Sequence, residues 1–101
     1  DGVTTIAQRA FSELENLKSV DIPDSVQFIT QNAFEDSGLS SVVLPANIKV
    51  IDEYAFFFCQ KLSSVGYKGE IYTSISKLEK ALKENGVIIG YHSFASTALA
   101  L

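Results

Sequence analysis

The sequence contains few of the residues on which covalent and metal chemistry depend. It has one cysteine, one histidine, no methionine and no tryptophan. The single cysteine, Cys59, excludes an internal disulfide and a cysteine-based zinc site. A catalytic thiol would need a nearby base, and His92 is the only histidine that could act as one. Neither a glycine-rich phosphate loop nor a histidine–cysteine cluster with metal-ligand spacing is present. The inventory therefore predicts no catalytic residue, no metal and no cofactor.

The sequence also lacks long apolar runs and an excess of basic residues. No run approaches the roughly 20 apolar residues that a membrane-spanning helix needs. The chain opens on Asp1-Gly2, with no basic segment followed by an apolar core, so no signal peptide is visible. Twelve acidic residues outnumber eight basic ones, for a net charge of −4. Because phosphate binding needs a basic face, we expect no nucleic-acid partner.

What the sequence does contain is a phrase that occurs four times. Each occurrence starts at isoleucine and ends at phenylalanine five positions later, with alanine or serine just before the phenylalanine. The copies are Ile6–Phe11, Ile29–Phe34, Ile51–Phe56 and Ile89–Phe94, and their isoleucines are 23, 22 and 38 residues apart. Self-similarity at a period of about 20 to 30 residues is typical of repeat proteins built from stacked units.

The alignment of the copies extends beyond this phrase. A leucine follows each phenylalanine by five or six residues, and in three copies a valine stands three positions further on. These stretches, Leu17–Ile22, Leu39–Leu44 and Leu62–Tyr67, alternate apolar and polar residues at their ends, which predicts short strands. Pro23 and Pro45 then end the strand, because proline has no amide for a ladder bond. The segment from isoleucine to phenylalanine is expected on the side of each repeat opposite the strand. The spacing of its apolar residues suits a helical or 3₁₀ turn.

The repeats are expected at residues 3–25, 26–47 and 48–69, with a divergent or truncated repeat at 87–101. A helical insertion at about 70–86 separates the last two. Ser76 and Glu79 have the spacing of a capping box, and Gly86 suits a left-handed helix end. Ile75, Leu78, Ala81 and Leu82 share one face. The pattern predicts one helix over residues 76–85.

The pattern Leu17-x-x-Val20-x-Ile22-Pro23-x-x-Val26-x-x-Ile29-x-x-x-Ala33-Phe34 resembles the leucine-rich repeat of BspA-like, mostly bacterial, cell-surface proteins. The resemblance implies an α/β fold: a right-handed solenoid with parallel strands on one face and short helical or 3₁₀ turns on the other. Residues 1–101 are expected to form a single leucine-rich-repeat domain or a fragment of one. Cys59 occupies the signature cysteine position after alanine-phenylalanine, where the first two copies have Leu14 and Ser37. A core role is therefore expected for this cysteine. The resemblance also implies a secreted or cell-surface location.

Two groups of residues are candidate binding sites. The first lies on the outer face of the expected strands and has a serine column as its main feature; its members are Ser19, Asp21, Ser41, Val43, Ser64 and Gly66. Such a flat, weakly charged face suits contact with a protein or a glycan, although serine is also a common strand-tolerant surface residue. The second is Phe57-Phe58, where the other copies carry polar pairs. These rings could dock the inserted helix or form an apolar contact patch.

Two functions remain open at the level of sequence. The preferred one is a non-enzymatic, adhesin-like interaction module that binds a protein or glycan on host or neighbouring cells. The other is a structural spacer that presents further domains and has no ligand of its own. Because so few repeats leave their end surfaces exposed, we expect either association of identical chains through an end or an edge, or a strong dependence on neighbouring repeats.

Overall fold

The computed structural model describes residues 3–101 and shows a mixed α/β fold with short strands and one helix. In chain order the elements are β1 (Thr5–Ile6), β2 (Phe28–Ile29), β3 (Ser41–Leu44), β4 (Val50–Ile51), β5 (Ser64–Tyr67), β6 (Glu70–Tyr72), α1 (Ile75–Glu84) and β7 (Ile88–Ile89). The strands form two sheets, one with the order β1-β2-β4-β7 and one with the order β3-β5-β6.

The first sheet aligns the four copies as the repeated phrase predicts. Its strands are all parallel, and Ile6 pairs with Ile29, Ile29 with Ile51, and Ile51 with Ile89. The fourth copy therefore takes its place beside the third even though 38 residues separate their isoleucines. The inserted residues lie outside the stack of copies and do not change the register between the third and fourth copies.

The phenylalanines of the phrase form a continuous column in the core. Phe11, Phe34, Phe56 and Phe94 stack with ring centroids 5.1, 5.0 and 5.2 Å apart and interplanar angles of no more than 7°. The residue just before each ring in the second and third copies, Ala33 or Ala55, is fully buried. A small side chain there leaves room for the aromatic column, which buries a large apolar area.

The turns that carry this phrase are not helical, which corrects the expectation from sequence. Bonds of the 3₁₀ kind are present, for example from the Ala33 N–H to the Thr30 carbonyl at 3.2 Å. However, Asn32 and Asp36 have φ values of 61° and 58°, and the equivalent residues of the other copies are left-handed too. Alternate N–H groups consequently point out of the turn toward the next copy, and a helix cannot propagate.

The second sheet also differs from the expectation. The Leu39–Leu44 and Leu62–Tyr67 stretches contain β3 and β5, which pair in parallel, but Leu17–Ile22 forms no strand. The first copy approaches the sheet instead through Ser40, whose N–H and hydroxyl both donate to the Lys18 carbonyl, at 3.2 and 3.5 Å. Periodicity marks a segment that can form a strand, but a strand exists only where a neighbour completes the ladder.

The insertion contains a strand as well as the predicted helix. After β5 the chain turns back through Lys68 and Gly69, whose φ values of 50° and 84° are typical of a type I′ hairpin turn. The resulting strand, β6, pairs antiparallel with β5. It therefore occupies the sheet edge that a strand of the fourth copy would otherwise have taken.

The helix begins and ends one residue earlier than predicted. Its N-cap is Ser74 rather than Ser76, and the Ser74 hydroxyl accepts from the Lys77 N–H at 3.4 Å. At the other end the prediction for Gly86 is confirmed, since its φ is 79°. The Gly86 N–H donates to Lys83 and the Val87 N–H to Leu82, which is a Schellman motif. The apolar face of the helix, on which Leu78 and Leu82 are fully buried, is part of the core. The helix packs against β6 and β7.

Candidate binding surfaces

The outer face of the second sheet carries four of the six residues singled out from the sequence. Ser41 pairs directly with Ser64, and Val43 pairs with Gly66. Ser41 and Val43 are exposed, the latter at 66%, whereas Ser64 is half-buried. Ser19 and Asp21, the two residues expected from the first copy, are exposed but lie outside the sheet.

Gly66 is buried, which corrects the expectation that it faces solvent. In the register of the sheet it lies between Val43 on one strand and Ile71 on the other. A Cβ atom added to Gly66 would lie 3.3 Å from the Val43 Cγ2 atom and 3.6 Å from the Ile71 Cδ1 atom. The two side chains therefore close over the glycine, and Ile71, at 70% exposure, completes an apolar strip with Val43. Sequence reasoning missed Ile71 because it did not recognise the Lys68-Gly69 turn as a hairpin signal.

Phe57 and Phe58 lie on the turns rather than under the helix. Phe57 packs edge-on against Tyr54 with ring centroids 5.1 Å apart, and it lies 5.7 Å from Phe58 and 6.4 Å from His92. Tyr54 in turn contacts Tyr91 edge-on at 5.9 Å. The expected docking of α1 on these rings is thus replaced by contacts within a group that we call the aromatic turn patch: Tyr54, Phe57, Phe58, Tyr91 and His92.

The aromatic turn patch is accessible to solvent. Tyr91 is 61% exposed and Phe58 is 41% exposed, while His92, also exposed, lies with its ring 3.8 Å from that of Tyr91. Tyr54, Phe58 and His92 all have positive φ values, between 53° and 63°. The left-handed conformation is uncommon for bulky residues. Here the turn imposes it, and the side chains are directed away from the core.

The first two copies have polar residues, mostly acidic, where the third has Phe57 and Phe58. Phe57 is aligned with Ser12 and Glu35, and Phe58 is aligned with Glu13 and Asp36. Arg9 lies 3.8 Å from Glu35, and both side chains are accessible to solvent. A shallow cleft of about 140 Å³ beside Phe58 is lined in part by Glu15 and Asp36. At the two positions of Phe57 and Phe58, the turn surface therefore changes from polar to aromatic along the stack.

The remaining chemically reactive side chain lies in the core, as predicted. Cys59 is fully buried, donates to the Phe34 carbonyl at 3.0 Å, and has its Sγ atom 3.4 Å from the Ser37 hydroxyl. Burial raises the pKa of this thiol, so the reactive thiolate is disfavoured. Within residues 3–101, no three histidine, cysteine or carboxylate side chains are grouped so that they could hold a metal ion.

Comparison with known proteins identifies one family. A family model described as "BspA type Leucine rich repeat region" matches residues 1–100 in six copies. No curated protein and no solved structure matches the chain. In the part of the chain that the structure describes, no helix has the length and apolar character to cross a membrane.

Proposed function

Because the chain belongs to the BspA-type leucine-rich-repeat family, we propose that it is an extracellular, adhesin-like module that binds another protein. Repeats of this family are typically non-enzymatic and serve protein interaction, commonly at the cell surface. In this proposal the chain forms one domain and its copies wind as a right-handed solenoid. Parallel pairing of successive copies on two sheets supports this, because crossover connections between parallel strands are almost always right-handed.

The aromatic turn patch is the observation that favours binding over a purely structural role. Exposed aromatic residues are costly in solvent and enriched at protein interfaces, where they provide much of the binding free energy. The patch is also local to the third and fourth copies, since the first two copies have polar residues at the positions of Phe57 and Phe58. Packing of the repeats does not require those rings.

The charge around the patch indicates the chemistry of the partner. Glu15, Asp36 and Lys61 line the cleft beside Phe58, so that acidic side chains outnumber basic ones there, and the chain as a whole carries a net charge of −4. A partner that covers both regions would match them with apolar side chains beside lysine or arginine. We therefore propose a protein ligand with a mixed basic and apolar surface.

The sheet face is a second candidate contact surface. Ser41, Val43 and Ser64 remain candidate ligand residues there, and Ile71 joins them. This apolar strip is smaller than the aromatic turn patch and contains no aromatic ring, so we expect it to contribute less to binding.

The proposal is tested with a variant that gives the third copy the turn residues of the fourth. Phe57→Ala together with Phe58→Ser reproduces Ala95-Ser96, so the substituted residues already occur in an equivalent turn. The wild-type chain and the variant are passed over an array of immobilised extracellular proteins and glycans. We expect binding to basic proteins, weakened at least about tenfold in the variant, which corresponds to about 1.4 kcal/mol.

The matched control is Ser41→Arg with Val43→Arg on the sheet face. If that control abolishes binding and the turn variant does not, the binding site is the sheet face. Binding to glycans alone would contradict a protein ligand. A lack of any binding by the wild-type chain would favour the structural spacer. Protease treatment of intact source cells tests the location, since a surface protein is degraded while the cells remain closed.

A further inference from the structure

The second copy is one residue shorter than the copies on either side of it. From the phenylalanine of the core column to the next leucine, the second copy advances five positions, whereas the first and third advance six. Where these neighbours have Glu15-Asn16 and Gln60-Lys61, the second copy has only Gly38. The cleft of about 140 Å³ beside Phe58 lies at this place, between the first and third copies.

Gly38 keeps the base of this cleft free of a side chain. Its N–H donates to the Leu14 carbonyl at 3.0 Å, which holds the backbones of the first two copies close together. A Cβ atom at Gly38 would overlap the Glu15 carbonyl oxygen, so a larger residue would push the two backbones apart. The cleft therefore follows from a shortened loop and a glycine, both within the stack of copies.

The hydroxyl of Ser37, at the base of the cleft, has lone pairs that accept no hydrogen bond. Ser37 lines the cleft and is only 5% exposed. Its Oγ atom lies 3.4 Å from the Cys59 Sγ atom, while the single proton of that thiol is donated to the Phe34 carbonyl. The Ser37 proton is thus directed at the sulfur, and no group within residues 3–101 donates to its oxygen. A buried oxygen of this kind favours a ligand that brings a donor into the cleft.

The walls of the cleft combine two carboxylates with an aromatic ring. Glu15 and Asp36 line it, and among the described residues neither side chain makes a hydrogen bond or an ion pair. Phe58 and Lys61 complete the walls, so the lining carries a net charge of −1. A ring next to unpaired carboxylates is an arrangement that suits a cation with an apolar stem.

We propose that this cleft binds one arginine side chain of the protein partner. Its volume suits a single side chain, because pockets for drug-sized ligands have roughly 300–1,000 Å³. A guanidinium has five donors in one plane, which can pair with the carboxylates of Glu15 and Asp36 while its flat face stacks on Phe58. A further donor can reach the Ser37 oxygen. A lysine ammonium has no flat face for the ring, and we expect it to bind less tightly.

This inference deepens the proposed function and rests on it, because the arginine belongs to the protein ligand proposed above. It adds a residue type and a point of contact to a partner that was described only as basic and apolar. It can nevertheless be tested without knowing the partner, since a small probe carries the same side chain.

The test is a titration of the isotope-labelled chain with N-acetyl-argininamide, followed through the amide chemical shifts. N-acetyl-lysinamide and the neutral N-acetyl-citrullinamide are the matched probes. We expect the arginine probe to shift the amides of Ser37, Gly38 and Phe58 in a saturable way, with a dissociation constant on the order of millimolar. The lysine probe should bind at least about fivefold more weakly, and the citrulline probe, which lacks the charge, should cause no saturable shift.

A variant without the two carboxylates tests the site itself. Glu15→Gln with Asp36→Asn preserves the side-chain shapes, and asparagine tolerates the left-handed φ of 58° at position 36. It should bind the arginine probe at least about tenfold more weakly. The matched control, Asp24→Asn with Glu70→Gln, removes two exposed carboxylates outside the cleft and should bind like the wild type. The dispersion of the amide shifts shows whether each variant is folded.

The outcomes separate this inference from the proposed function. The arginine site is wrong if the arginine probe shifts none of the three amides, or if it binds the folded carboxylate variant as tightly as the wild type. It is also wrong if the lysine or citrulline probe binds equally well. A lack of protein ligands on the array overturns the proposed function instead, while the probe titration still decides the arginine site.

Discussion

At the scale of single residues, the turns depend on side chains held in the left-handed conformation. Each copy has two such residues, four positions apart, and none of them is glycine. A left-handed conformation costs roughly 1–2 kcal/mol for an ordinary residue. The cost is offset because the conformation directs alternate N–H groups to the carbonyls of the next copy, as in the 2.7–3.0 Å bonds between the third and fourth copies. The same geometry places Tyr54, Phe58 and His92 on the surface.

Two buried ionisable residues predict how stability depends on pH. Burial raises the pKa of the Cys59 thiol above its ordinary value of 9.0 and that of the Tyr67 hydroxyl above 10.0. Both groups stay neutral in the folded chain at a pH where the unfolded chain has already ionised. Their contribution to the free energy of unfolding is therefore complete below the unfolded pKa and is lost as pH rises toward the folded pKa.

We expect urea titrations to show constant stability around neutral pH and a decline above about pH 9. The free energy of unfolding of the variant Cys59→Ser should decline less steeply with pH. Its serine hydroxyl does not titrate in this range, and it can still donate to the Phe34 carbonyl. If the free energy of unfolding falls with pH at the same slope in the variant and the wild type, the thiol does not contribute to the decline.

At the scale of elements, the helix and the hairpin before it close one edge of the second sheet. The Lys68-Gly69 turn returns the chain as β6, so the edge of β5 is covered within the chain. Ser74 follows β6, pairs with Ala100 in an isolated bridge, and also caps α1. One short segment thus completes the sheet, starts the helix and holds the end of the described chain.

The position of the helix cap predicts a difference between two serines. Ser74→Ala should lower the free energy of unfolding by about 1 kcal/mol, because the variant loses the acceptor for the Lys77 N–H. Ser76→Ala should change it by no more than about 0.5 kcal/mol, because it removes only the exposed contact between the Ser76 and Ser74 hydroxyls at 3.1 Å. Urea unfolding of both variants provides the comparison. A larger loss for Ser76→Ala would show that the capping box, rather than Ser74, starts the helix.

At the scale of the whole molecule, the aromatic column ties the four copies into one core. Its interior members are stacked on both faces, whereas among the described residues Phe11 is stacked on one face and lines an apolar hollow. The stack is therefore asymmetric: α1 packs against β7 in the last copy, and the first copy has an apolar hollow.

This asymmetry predicts that replacing phenylalanine by alanine lowers the free energy of unfolding by different amounts at two positions of the column. Phe56→Ala should cost about 3–5 kcal/mol, because it opens a cavity between two stacked rings. Phe11→Ala should cost only about 1–2 kcal/mol, since its ring is half-buried and has one stacked neighbour. The free energy of unfolding from urea titration decides between these values. Equal losses would indicate that the first copy is as firmly packed as the interior.

The sequence by itself determined the register of the molecule. The spacing of Ile6, Ile29, Ile51 and Ile89 predicted their alignment, and the apolar face around Leu78 predicted the helix to within one residue at each end. The core position of Cys59 followed from the same alignment. These features could be predicted because periodic apolar residues report which side of the chain is buried, whatever the neighbours are.

Only the tertiary structure decided which segments have partners. Leu17–Ile22 has the pattern of a strand and forms none, Gly66 is covered by Ile71 from a strand that the repeat does not contain, and Phe57 packs on Tyr54 instead of the helix. A hydrogen bond or a packed ring depends on both of its partners, and a local pattern specifies only one of them.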